Sequence, residues 1–148
     1  MSDIFLMNNN QSPNFQPIKL EETINQITTK GLKMADIASQ GNDWSSVIEP
    51  LDKIEHELGK QTSVNSHMNS VMFSEKFNIE YEKTLPLISK YYSEIGANKS
   101  LYKAFKRLKQ SNLSEQQQHI IKESIQGFEL SGVGLEGKSA NRFKDIQK

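Results

Sequence analysis

Apolar residues recur at intervals of three and four through most of this chain, and that spacing leaves little choice of secondary structure. Leu20, Ile24, Ile27, Gly31, Met34 and Ala38 step by four, three, four, three and four, which places them on one face of a helix. Val47, Leu51, Ile54 and Leu58 continue the rule. So do Phe77, Tyr81, Leu85, Ile88, Tyr92 and Ile95, then Leu101, Tyr102, Phe105 and Leu108, then Ile121, Ile125 and Phe128 with Ile120 beside them. No stretch of useful length alternates apolar with polar, and no repeat of fixed period emerges. The pattern predicts an all-α fold of antiparallel helical hairpins. It holds five helices and the start of a sixth at Ser139, with Phe143 and Ile146 at core spacing. A one-sided stripe must be buried against a neighbour, and 148 residues suffice for one domain with a real core.

Turn and cap residues divide the chain. Residues 1–17 are rich in Asn, Gln and Pro without a period and read as an extended arm, anchored by Phe15 and Ile18. Residues 18–148 read as the helical domain. Glu21 and Glu22 suit the positive end of the first helix, and Gly31 on its apolar stripe signals close approach of a neighbouring helix rather than a hinge. Gly41 is a plausible C′ residue of the first helix and Asp43 an N-cap of the second, in which Pro50 predicts a kink or an irregular first turn. Pro86 is expected to interrupt the third helix and Gly96 to stop it. Ser114 with Gln117 makes a capping box for the fifth, and Gly132 ends it. The short connection near residues 72–74 pairs the second helix with the third. Leu51, Ile54, Leu58, Tyr81, Leu85 and Ile88 are therefore expected to be buried between them. From Gln61 to Ser70 the seam of the second helix turns polar, which reads either as a solvated end or as a polar face towards a cleft.

Charge removes whole classes of function. Eighteen Lys and Arg balance eighteen Asp and Glu, so the basic surplus of a nucleic-acid or membrane-binding domain is absent. Lys99, Lys103, Lys106, Arg107 and Lys109 share the outer face of a helix of only three turns. We read that face as solvated rather than as a phosphate or lipid site. Cysteine is absent, which rules out disulfides and thiol chemistry. No run approaches the roughly 18 apolar residues of a membrane span, and the amino terminus carries an acid instead of a signal peptide's basic region. The expectation is a soluble, cytoplasmic chain.

The search for chemistry returns little. His56-Glu57-Leu58-Gly59-Lys60 is one residue short of the H-E-x-x-H zinc motif. Its ammonium at position 60 has no lone pair for a metal and repels it. His67 and His119 have no histidine four residues away, and His119 with Lys122 only faintly echoes the H-x-x-K of phosphotransfer bundles. No phosphate loop or nucleophile elbow is present. We expect no catalytic residue, no cofactor-binding residue and no metal ligand in this chain.

Four strings narrow the reading. Ser66-His67-x-Asn69-Ser70-Val71 is followed by Tyr81-Glu82-x-Thr84-Leu85-Pro86-Leu87 and Tyr91. Leu101-Tyr102-Lys103-Ala104-Phe105 and Phe128-Glu129-Leu130-Ser131-Gly132-Val133-Gly134-Leu135 come next. With Trp44, Pro50-Leu51 and the entry segment Pro13-x-Phe15 and Ile18, they resemble the amino-terminal region of the thimet oligopeptidase family, in particular its oligopeptidase A subgroup. The resemblance runs from about Pro13 to Lys148. It implies an all-helical, two-lobed zinc metallopeptidase of the cytosol or organelles that cuts short peptides. Its zinc would be held by an H-E-x-x-H helix several hundred residues further on. On that reading this chain is part of the non-catalytic lobe, cut from a longer protein, inactive by itself, and partnered by the catalytic lobe of its own polypeptide. It would help wall the channel that admits peptides, with the run from Gln61 to Ser70 as the expected lining. A free-standing helical interaction module is the rival reading.

Overall fold

The computed structural model describes residues 19–72 and 74–135, and all of its regular structure is helical. The five helices are α1 (Leu20–Ala38), α2 (Trp44–Val71), α3 (Glu75–Gly96), α4 (Lys99–Leu108) and α5 (Glu115–Leu130). The arm, its anchors Phe15 and Ile18, and the sixth helical pattern with Phe143 and Ile146 lie outside the described residues.

Local chemistry sets most of the helix ends. The Asp43 carboxylate accepts from the Ser46 amide at 2.8 Å and completes a capping box with the Ser46 hydroxyl. The Ser46 hydroxyl, which donates to the same carboxylate at 2.7 Å, and then the Ser46 amide hold the Asp43 carboxyl below the usual carboxylate range. Ser74, Asn98 and Ser114 cap α3, α4 and α5 in the same way, and Gln117 returns a bond to Ser114. Helix α5 ends in a Schellman turn. Gly132 takes φ 78°, its amide donates to Glu129 at 3.0 Å, and Val133 donates to Phe128 at 3.3 Å. Gly41 and Gly96 act differently from expectation. Ser39 and Ala97 are the C-caps, and a Cβ at Gly41 or Gly96 would meet Ser46 or Ser131 at 2.6 or 2.7 Å. Both positions are small because a neighbour is close. Pro50 and Pro86 lie inside helices that stay helical across them, so Pro86 does not interrupt α3.

The core has two parts joined along α1. Ala35, Ala38 and Val47 meet Leu101, Ala104, Phe105 and Leu108 of α4 and Ile121, Ile125 and Phe128 of α5. The Phe105 and Phe128 rings stand edge to face at 5.3 Å. Ile24 and Ile27 meet Ile54 and Leu58 of α2 and Tyr91 of α3. Helix α1 therefore packs extensively against both α2 and α3, which touch one another far less.

That arrangement corrects the expected pairing. Ile54 and Leu58 are buried as predicted, but Leu51, Tyr81 and Ile88 are only half-buried, and Leu85 is 45% exposed. The buried face of α3 runs through Phe77, Thr84 and Tyr91; Phe77 is buried as predicted, whereas Thr84 and Tyr91 each lie one residue, about 100°, from the predicted Leu85 and Tyr92. The short connection implied that α2 would be the main partner of α3, whereas α1 takes that place and turns the stripe to the flank. Ile120, expected to help the core, is 46% exposed.

Candidate functional site

The flank of α3 and the polar half of α2 face each other across an open groove of about 620 Å³, a size typical of sites that hold small ligands or short peptide stretches. Its two walls differ in chemistry. Helix α2 supplies hydroxyls, an amide and an imidazole, from Thr62, Ser63, Asn65, Ser66, His67 and Ser70. Helix α3 supplies Tyr81, Leu85, Ile88 and Tyr92, with Thr84 between them. None of these is Asp, Glu, Lys or Arg. The α3 residues were expected in the core and instead form a wall. Of the two readings of the run from Gln61 to Ser70, the geometry matches the polar face towards a cleft.

Hydrogen bonds fix the lining. The Thr84 hydroxyl donates to the Tyr81 carbonyl at 2.6 Å, so its proton is committed within its own helix. One end of the groove is clamped by Glu55. Its two carboxylate oxygens accept from the Tyr91 and Tyr92 hydroxyls at 3.0 Å each. The adjacent tyrosines diverge, with Tyr91 entering the core at 2% exposure and Tyr92 turning its ring to the groove. Burial raises both phenols, and the Glu55 carboxylate beside them adds to the shift, which brings Tyr92 up to about 12. At the other end, the Asn69 amide donates to Asn78 and the Asn78 amide to Glu82, each at 3.0 Å.

Asn65 and Asn69 are the exceptions, because the side-chain oxygen of each is buried without a hydrogen-bond partner among the described residues. Of the two, Asn65 lies in the groove wall and is only 2% exposed. Such an atom costs about 1–3 kcal/mol of desolvation. The sequence placed Asn65 on the apolar seam seven residues after Leu58, so its burial was legible, but its lack of a partner was not. Glu55 carried no sequence signal beyond the consecutive tyrosines, both of whose hydroxyls donate to it.

The groove holds no set of metal ligands. His56, His67 and His119 are all exposed, and the first two lie eleven residues apart on α2 while the third is on α5. Among the described residues no three His, Asp or Glu side chains come together as a metal would need. The residues present do not fit a zinc ion. Among them, too, no helix is long and apolar enough to cross a membrane.

Comparison with known proteins identifies the family. The family described as neurolysin/thimet oligopeptidase, N-terminal domain, matches residues 19–140. Oligopeptidase A of Escherichia coli is 35% identical over 107 residues, 70% of this chain and 16% of the relative. Oligopeptidase A of Salmonella typhimurium is 32% identical over 145 residues, 90% of this chain and 21% of the relative. A probable cytosolic oligopeptidase A of Arabidopsis thaliana is 28% identical over 109 residues, 71% of this chain and 16% of the relative. The chain thus spans about a fifth or less of the length of these relatives. No solved structure matches significantly.

Proposed function

The chain belongs to the neurolysin/thimet oligopeptidase family, and from that premise we propose that it is the non-catalytic helical amino-terminal part of an oligopeptidase A-like zinc metalloendopeptidase. In that role residues 18–148 form the helical domain behind a short arm, and the groove between α2 and α3 contributes to the wall of the channel that admits short peptides. The observation that supports the channel role is the groove lined without Asp, Glu, Lys or Arg, built by the same segments that carry the family strings. Ser66, His67 and Ser70 come from one string, and Tyr81, Thr84 and Leu85 from another. The remaining polypeptide, as catalytic lobe, supplies the H-E-x-x-H helix and the zinc. A zinc ion held by that helix would supply Lewis-acid chemistry to the scissile carbonyl and the attacking water. This chain offers no ligand and no general base to that step. Peptides are the substrates of the whole protein, and the cytoplasm is its compartment.

The decisive experiment reads the encoding locus past the codon for Lys148 and assays both lengths of protein on a quenched-fluorescent oligopeptide with zinc. We expect a frame that continues for several hundred residues to an H-E-x-x-H motif, chelator-sensitive cleavage by the long form, and none by the 148-residue chain. A stop codon after Lys148 decides instead for a free-standing interaction module. Cleavage by the short chain that disappears on His56→Ala would overturn the non-catalytic assignment.

A further inference from the structure

We infer that the groove between α2 and α3 is itself a peptide-binding site, which takes about four residues of an extended, uncharged peptide segment. The inference rests on the peptidase reading for its biological occupant, but its geometry stands apart from that reading. From Thr62 to Ser70 the polar wall runs eight residues along α2, about 12 Å at a rise of 1.5 Å per residue. An extended peptide covers that distance in about four residues at 3.3 Å each.

The two walls match an edge and a face of such a strand. An edge of an extended peptide presents main-chain N–H and C=O groups, which suit the hydroxyls of Thr62, Ser63, Ser66 and Ser70. A face presents alternate side chains, and an apolar one fits against Leu85, Ile88 and the ring of Tyr92. Tyr92 already gives its hydroxyl proton to Glu55, so it offers the groove mainly its ring. Asn65 provides the anchor. It lies in the wall, it is almost wholly buried, and its amide oxygen lacks a partner. A primary amide carries both a donor and an acceptor, and its terminal torsion is soft. Turned to the groove, it pairs with both atoms of a peptide group. The lining without Asp, Glu, Lys or Arg sets the preference, because a charged side chain would lose water there without gaining a counter-ion.

The test titrates the isotope-labelled 148-residue chain with an acetylated and amidated tetrapeptide of Leu, Phe and Ala, followed by amide resonances. We expect saturable shifts confined to residues 62–70 and 81–92, and binding at least tenfold weaker when the peptide's Leu is replaced by Glu or Lys. Asn65→Leu and Leu85→Asp should each weaken it at least tenfold. Leu85 is 45% exposed, so Leu85→Asp leaves the core in place and decides the matter if Asn65→Leu perturbs folding. Absence of saturable shifts at millimolar peptide, shifts centred elsewhere, or unchanged binding by Leu85→Asp would overturn the inference. The two readings fail separately. Cleavage by the long form without groove binding removes the groove's role alone, and groove binding by a chain that ends at Lys148 removes the peptidase alone.

Discussion

Gly31→Ala should destabilise the protein, although the same change in an open helix stabilises it. On propensity alone, Ala at an interior helix position gains about 1 kcal/mol over Gly. At Gly31 the new Cβ would stand 2.7 Å from Tyr91 Cε2, 2.9 Å from the Tyr91 hydroxyl oxygen and 2.9 Å from Ile54 Cγ2. Neither neighbour can retreat easily. Tyr91 is 2% exposed and Ile54 1%, they belong to α3 and α2, and α1 lies against both. Relieving the contact means moving two helices or swinging Tyr91 away from Glu55, to which it donates at 3.0 Å. Overpacking of this kind costs about 1–3 kcal/mol, and a weakened bond to a charged acceptor up to about as much again. Set against the propensity gain, the net loss is about 1–3 kcal/mol. For a domain of this length that lowers the thermal midpoint by about 3–9 °C. Gly59→Ala on α2 is the control, because its Cβ would meet nothing within 4 Å. It should gain about 0.5–1 kcal/mol and raise the midpoint by about 2–3 °C. Thermal unfolding followed by circular dichroism at 222 nm reads both variants. A Gly31→Ala midpoint at or above the wild type, moving as Gly59→Ala does, would refute the close packing of α1 between its neighbours.

Three further outcomes are expected. Leu58→Ala should cost about 2–5 kcal/mol in urea unfolding and Leu85→Ala under about 0.5 kcal/mol, since Leu58 is fully buried and Leu85 walls an open groove; equal losses would restore the direct pairing of α2 with α3. The Tyr91 and Tyr92 phenols titrate higher in the folded state than their ordinary value of about 10, so the folded chain keeps protons that the unfolded chain releases. That stability is complete below about pH 10 and falls as the pH rises through about 12; a urea midpoint unchanged between pH 9.5 and 11.5 would count against the Glu55 clamp. One Arg107 guanidinium nitrogen donates to the Ser39 and Gly41 carbonyls at 2.9 and 3.0 Å and so pins the turn between α1 and α2. Arg107→Ala should cost about 1 kcal/mol in urea unfolding, and an unchanged midpoint would count against the pin.

What was legible in the sequence follows the range of the forces involved. Caps depend on three or four consecutive residues, and Asp43, Ser114 and Gly132 act as their neighbours dictate. Stripes that face the main partner were legible too, as in α1, where Leu20, Ile24, Ile27, Gly31 and Ala38 are all buried. Helix α3 was misread because the face it buries depends on which helix lies beside it. Its sequence offers two candidate faces. Both start from Phe77; one continues through Tyr81, Leu85, Ile88 and Tyr92, the other through Thr84 and Tyr91, and hydrophobicity alone favours the first. Packing against α1 selects the second, with Thr84 at 1% exposure and its hydroxyl satisfied by the Tyr81 carbonyl. Gly41 and Gly96 were misread for a related reason. Each is small because a side chain comes within 3 Å of where its Cβ would be; at Gly96 that side chain is the distant Ser131, which local sequence does not encode, and at Gly41 it is the nearby Ser46.

The groove arises from the same selection. Once α3 turns Thr84 and Tyr91 inward, its more apolar stripe is left on the flank, where it needs a second partner. Helix α2 extends far enough to provide one, but its seam changes from Ile54 and Leu58 to Asn65. A leucine at position 65 would let the two helices close over the stripe and would remove the desolvation cost of an amide oxygen that no described residue satisfies. With Asn65 in place, a polar wall faces an apolar one, and neither satisfies the other. The cost of the unpaired amide is offset only when something with an amide edge and an apolar edge lies between the walls. An extended peptide has both, and an aliphatic helix from a neighbouring lobe has only the second. The two occupants predict opposite results for Asn65→Leu. An extended peptide would be lost, and a packed helix would be held more tightly.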